Sequence, residues 1–173
     1  MKKILGLGAA LATIVALSAF GRADFGNSLV RFDGGIGVIP VSNVVVNGTT
    51  TTVSPNTVRG IAPSGQIWRI ADLDANVSTE GRIRVHGRGL LLGGGNSIGT
   101  NANQSVFATL FCGPQANATG SSSDLAGVAL DADGDFTIDD VLTSAPAVPC
   151  ESPVLLIRTT AGARPWFAAG IPR

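Results

Sequence analysis

The stretch DLDANVSTEGRIRVHGRG, Asp72 to Gly89, decides how this chain folds. Leu73, Ala75 and Val77 alternate with polar residues. After a short gap Ile83, Val85 and Gly87 alternate with Arg82, Arg84, His86 and Arg88. A period of two is the pattern of a strand with one buried face. Both apolar rows must lie on the same face of a hairpin, because a one-residue slip would turn one row into water. That condition sets Val77 opposite Ile83 and Ser78 opposite Arg82. The loop is then Thr79-Glu80-Gly81, with glycine last. A three-residue hairpin loop is a type I turn followed by a left-handed residue, a conformation glycine adopts without steric cost. Periodicity and turn chemistry agree on one register.

The same register organises the polar side. Asn76 faces Arg84, Asp74 faces His86, and Asp72 faces Arg88. Asp72, Asp74, Arg84, His86 and Arg88 therefore form the candidate polar site. Its arginines suit an anion, and its His–Asp pair is the starting point of a hydrolase. A solvated sheet face has the same letters, its cross-strand opposite charges contributing about a few tenths of a kcal/mol each. Nothing in the hairpin supplies a nucleophile.

A second stretch, DADGDFTIDDVL from Asp131 to Leu142, resembles an EF-hand calcium loop at positions 1, 3 and 5. Position 6 must turn sharply and needs glycine, but Phe136 stands there. Position 12 supplies the bidentate carboxylate, but Leu142 stands there. As a hairpin the letters fit: Val128 and Leu130 face the core with Phe136 and Ile138, which sets the loop at Ala132-Asp133-Gly134. Glycine is again last. Asp131, Asp133 and Asp135 crowd the tip and remain a weak candidate for calcium.

Further strands are expected at Ser28–Asp33, Gly37–Val41, Val44–Val46, Gln66–Val77, Arg82–Leu92, Ser105–Cys112, Ala126–Asp131, Asp135–Leu142, Pro153–Thr159 and Pro165–Ala169. Turn-rich connections run from Asn47 to Gly65, Gly93 to Gln104 and Gly113 to Asp124. No amphipathic helix interrupts them. The expectation is an all-β, single-domain antiparallel β-sandwich or partly open barrel of about 8–10 short strands with one disulfide.

The N-terminus has Lys2 and Lys3 ahead of an apolar run from Ile4 to Phe20, with small residues after it. These are the parts of a secretory signal peptide, so residues 1–23 are expected to be removed and 24–173 to be the domain, secreted or periplasmic. The short MKK start has a bacterial look. The remaining 150 residues hold nine arginines, twelve acids and no lysine, a net charge of about −3. That charge offers no attraction for nucleic acid. The missing lysine excludes a phosphate-loop lysine, a Schiff base and a lysine general base. The absence of tyrosine and of a terminal aromatic strand argues against membrane insertion of the mature chain as a barrel.

Cys112 and Cys150 are the only cysteines, and in an exported chain they are expected to pair. On the chain-entropy account their loop would stabilise the fold by about 4 kcal/mol. His86 is the only histidine, and no zinc spacing, G-x-S-x-G elbow or nucleotide cradle is present. The run GRGLLLGGGNSIGTNANQ reads as a flexible loop between Leu92 and Ser105. Trp68 and Trp166, if exposed, would suit sugar stacking. The functional expectation is an exported, non-catalytic protein of binding or structural type, with no cofactor and an unknown partner, a protein or carbohydrate ligand included. The alternatives are a secreted hydrolase using the Asp74/His86 face, and a calcium- or carbohydrate-binding module.

Overall fold

The computed structural model describes residues 27–114 and 119–173, so the expected signal segment lies outside the described residues. These residues form thirteen strands and no helix: β1 Ser28–Gly37, β2 Val41–Asn47, β3 Thr50–Pro55, β4 Trp68–Arg69, β5 Asp72–Ser78, β6 Arg82–Arg88, β7 Leu91–Leu92, β8 Ser105–Cys112, β9 Thr119–Ser122, β10 Val128–Ala129, β11 Phe136–Val141, β12 Val154–Thr159 and β13 Trp166–Pro172. Nine of them make one antiparallel sheet, ordered β10-β8-β12-β13-β1-β5-β6-β11, with β9 also on β8.

This sheet has to curl. Its end strands, β10 and β11, are neighbours in sequence, joined only by residues 130–135. Laid flat, seven strand spacings of about 4.8 Å would separate them by roughly 34 Å. The connecting chain reaches only about 24 Å when fully extended. The result is a partly open barrel whose two ends meet at the acidic tip. Inside it Phe32, Leu73, Val77, Ile83, Val85, Leu110 and Leu156 are fully or almost fully buried.

The first hairpin has the register that the alternation requires. Val77 pairs with Ile83, Asn76 with Arg84, Asp74 with His86 and Asp72 with Arg88. The Gly81 N–H donates to the Ser78 carbonyl, and Gly81 is left-handed at φ +86°. The second loop also forms as expected: Asp131 N–H donates to Asp135 O, and Gly134 is left-handed at φ +84°. Leu130, Phe136 and Ile138 are buried. Beyond that tip, however, the strands part, β10 going to β8 and β11 to β6. The tip is a seam between two sheet ends rather than a free hairpin.

Several boundaries differ from the expected ones. The run Gln66–Val77 breaks into β4 and β5, and Arg82–Leu92 breaks into β6 and β7, because both strands turn a corner together at Gly89. Gly89 is left-handed at φ +64°, and a methyl there would lie 2.9 Å from the Ala71 Cβ. Past the corner β4 and β7 pair separately and bring Trp68 and Leu92 over the barrel. β1 extends through a bulge at Gly34 as far as Gly37. Two connections expected to be irregular hold strands, β3 and β9. The run from Gly93 to Gln104 is folded back on itself: Leu92 and Thr100 bond through their backbones, and the Asn101 amide donates to the carbonyls of Leu130 and Asp131.

Cys112, at the end of β8, and Cys150, just before β12, form the expected disulfide, with Cα atoms 4.8 Å apart. The bridge staples two strands that already pair. Arg158 lies over the Phe107 ring at 5.1 Å, and burial lowers its pKa from the usual arginine value.

Candidate functional site

The curl brings the two stretches singled out in the sequence into one place. β11 pairs with the outer side of β6, so the acidic tip stands beside the polar face of the first hairpin. Between them lies a cleft of about 690 Å³ whose lining includes Asp72, Asp74, His86, Arg88, Asp131 and Asp135. Arg84 lies further along the same face, and Asp133 is not among the residues that line the cleft.

The side chains in this region are largely engaged with one another. Arg88 donates to Asp72 at close range, and this hydrogen bond holds the Asp72 carboxyl below the usual aspartate value and the Arg88 guanidinium above its own. Arg84 donates twice to Asp139, at 2.6 and 3.2 Å, and Arg82 approaches the same carboxylate at 3.7 Å. Asp135 accepts the Gly89 N–H at 2.9 Å and so ties the acidic tip to the corner of the first hairpin. The carbonyl of Gly134 accepts the Leu90 N–H at 2.9 Å. Among the described residues no group of three or more histidine, cysteine or acidic side chains is placed to hold a metal ion.

His86 bonds to a residue the sequence did not suggest. Its Nδ1 lies 3.2 Å from the Thr137 hydroxyl on β11. Asp74 sits opposite His86 in the β5–β6 ladder, with Asp33 of β1 on its other side. Both His86 and Thr137 are exposed. Acyl transfer needs donors aimed at a developing oxyanion, yet His86 stands on an interior strand whose backbone groups are spent in two ladders. Chemically this surface is a solvated, cross-paired sheet face with a shallow cleft along one side.

Compared with known proteins, the chain matches no family model, no curated protein and no solved structure. Function must therefore be argued from its own surfaces.

The tryptophans do not offer a sugar platform. Trp68 is 4% exposed, stacked on Phe167 at 4.0 Å and donating from Nε1 to the Ser64 hydroxyl. Trp166 is 3% exposed and donates from Nε1 to the Asn56 carbonyl. That bond roots a feature of which the sequence reading expected only the strand at Val44–Val46. β2 and β3 form a two-stranded arm of their own, joined through Gly48-Thr49, with Gly48 left-handed at φ +61°. Val44, Val45, Val46 and Val53 are all exposed, Val46 by 67%. Ile36 and Ile39, which precede the arm in sequence, are exposed as well. A signal for the arm was present: Gly48-Thr49 between valine and threonine runs, with glycine at the first of two turn positions, suits a two-residue hairpin loop.

Proposed function

We propose that this chain is an exported bacterial β-domain that works by contact, as a binding or structural component outside the cytoplasm, and not by turnover. Export is supported by the leader-like residues 1–23 and by a disulfide, a bond that persists in oxidising compartments. Among the described residues no helix is long and apolar enough to cross a membrane. The observation that carries the contact reading is the β2–β3 arm, which holds aliphatic side chains out in water where no barrel-packing role explains them.

The hydrolase reading is favoured by one observation, the Thr137 hydroxyl within reach of His86 beside a cleft. The two readings separate in one experiment. The wild type and His86→Ala are assayed against a panel of ester, glycoside and peptide substrates. The contact reading expects equal, background-level rates. Robust turnover that His86→Ala abolishes would falsify it.

A further inference from the structure

We propose that the β2–β3 arm is a self-association element: β2 pairs with β2 of a second copy of this chain, antiparallel, about a two-fold axis at Val45. This rests on the contact reading above and names the partner.

Three observations lead there. The arm is short of partners, since β2 pairs only with β3 among the described residues and leaves one edge of backbone groups open. An isolated two-stranded hairpin is marginal in water, whereas three or more strands sharing an apolar face are stable. Proteins normally blunt an open edge with charge, proline or a bulge. Here Pro40, Pro55 and the register shift near Ser42 guard only the base of the arm, and Asn43 to Asn47 is a regular strand.

The second observation is charge. From Gly34 to Val58 no residue is charged, while charged residues flank the span at Asp33 and Arg59. A partner recognised by ion pairs has nothing to grip on the arm. An equally uncharged, β-branched edge fits it, and a second copy presents one.

The third observation selects the register. Residues 43–47 read Asn-Val-Val-Val-Asn, the same in both directions. In an antiparallel pair about a two-fold at residue 45, Val45 meets its own copy, Val44 meets Val46, and Asn43 meets Asn47. Every valine opposes a valine and every asparagine an asparagine, on both faces at once. Such isologous self-complementarity is what a two-fold interface requires. The product is a four-stranded sheet, β3-β2-β2-β3, with Val44, Val46 and Val53 of both copies along one face.

The test uses cysteine substitutions in the protein as processed from the full-length gene, whose own two cysteines are already bridged. Val45→Cys places two thiols across the two-fold, at a Cα separation of about 4.5–5.5 Å that a disulfide spans. Val41→Cys places them roughly 26 Å apart, eight residues at about 3.3 Å each. Under mild oxidation Val45→Cys is expected to give a disulfide-linked dimer and Val41→Cys to stay monomeric. In sedimentation velocity the wild type is expected to show dimer growing with concentration. Val45→Lys and Val45→Glu should each lose it, and their equimolar mixture should regain it. Because residue 45 is exposed in the single chain, these variants should unfold at the midpoint the wild type shows when dilute enough to be monomeric.

A wild type that stays monomeric throughout, association that Val45→Lys leaves intact, or cross-linking equally efficient from residue 41 would each overturn the pairing. Those outcomes are distinguishable from failure of the contact reading, which is decided by His86-dependent turnover and not by mass.

Discussion

Gly87 and Phe136 offer the sharpest check on the barrel seam. They are Cα partners across β6 and β11. A methyl on Gly87 would lie 2.1 Å from Phe136 Cε1, 2.2 Å from Cζ and 2.9 Å from Cδ1. The ring lies flat on the glycine, and its 5% exposure shows that it is packed against the core. Gly87→Ala must push the ring off its site, an overpacking cost of about 1–3 kcal/mol. Phe136→Ala loses the ring's burial and leaves a cavity, at about 3–5 kcal/mol. If the two were independent, the double variant would lose about 4–8 kcal/mol, a large part of a domain's usual stability of about 5–15 kcal/mol. They are not independent, because the three atoms the methyl meets most closely all belong to the ring. Once the ring is gone the methyl fills part of its space. The double variant is therefore expected to be no less stable than Phe136→Ala alone, a favourable coupling of about 1–3 kcal/mol. Urea unfolding with the disulfide intact, followed by circular dichroism and tryptophan fluorescence, measures it. Strict additivity, or a Gly87→Ala variant within about 0.5 kcal/mol of wild type, would show that the ring does not lie on the glycine.

Two further outcomes follow from the same seam. Gly134 and Gly99 have nearly equal left-handed backbones, at φ +84° and +81°, but a methyl at 134 would lie 2.6 Å from the Leu90 backbone, whereas at 99 it meets nothing within 4 Å. Alanine should cost about 1–2 kcal/mol at either position for the backbone conformation, with about 1–3 kcal/mol more at 134 for the clash; equal thermal midpoints would deny that the acidic tip docks on Leu90. The Arg88 hydrogen bond lowers the pKa of Asp72 when folded, so this group's stabilisation is fully present above the unfolded value near 3.9 and fades as pH falls through the lower folded value. Asp72→Asn should remove that part of the acid-side slope by lowering stability slightly between pH 6 and 8, by the small amount an exposed, salt-screened pair contributes, and leaving it unchanged below the folded value; an unaltered acid profile would mean that the pair is not formed in solution.

What could be read from the sequence was whatever leaves an alternating trace. The Leu73-to-Gly87 hairpin and the tip at Ala132–Gly134 each combine a period of two with a glycine where a left-handed residue falls; the first register forms in full, and of the second only the turn from Asp131 to Asp135 forms before its strands part. Ser105–Cys112 matches β8 residue for residue. The polar rows Asp72–Arg88 and Asp74–His86 were legible as neighbours for the same reason. That Thr137 and Asp139 complete this face was not, because the β6–β11 ladder joins residues about 50 apart and no local pattern records it. The corner at Gly89 was also hidden: periodicity continues through it, and only the contact with Ala71 shows why the strands bend there. β9 escaped because Gly120 and Ser121 pair by smallness, with Gly120 lying against the Phe111 ring.

Val44–Val46 was expected as a strand and forms the middle of β2, but β3 and the pairing that makes an arm were missed for a different reason, and that reason bears on function. Strand recognition by alternation assumes that one face is buried, so that selection keeps apolar residues on every second position. In β2 three consecutive valines point to both faces, and in β3 three consecutive threonines do the same, so no buried face exists to read. A sequence under pressure only to fold has no use for such a segment, since exposed valines add nothing to the barrel and an open uncharged edge invites misassembly. Local rules that fail on the surface, with no compensating gain inside the fold, mark the places where something outside the fold sets the sequence. The barrel, the disulfide and the cross-paired acidic face account for each other. The palindrome Asn43-Val-Val-Val-Asn47 is explained by none of them, and a second copy of itself is the one surface whose pattern it already matches.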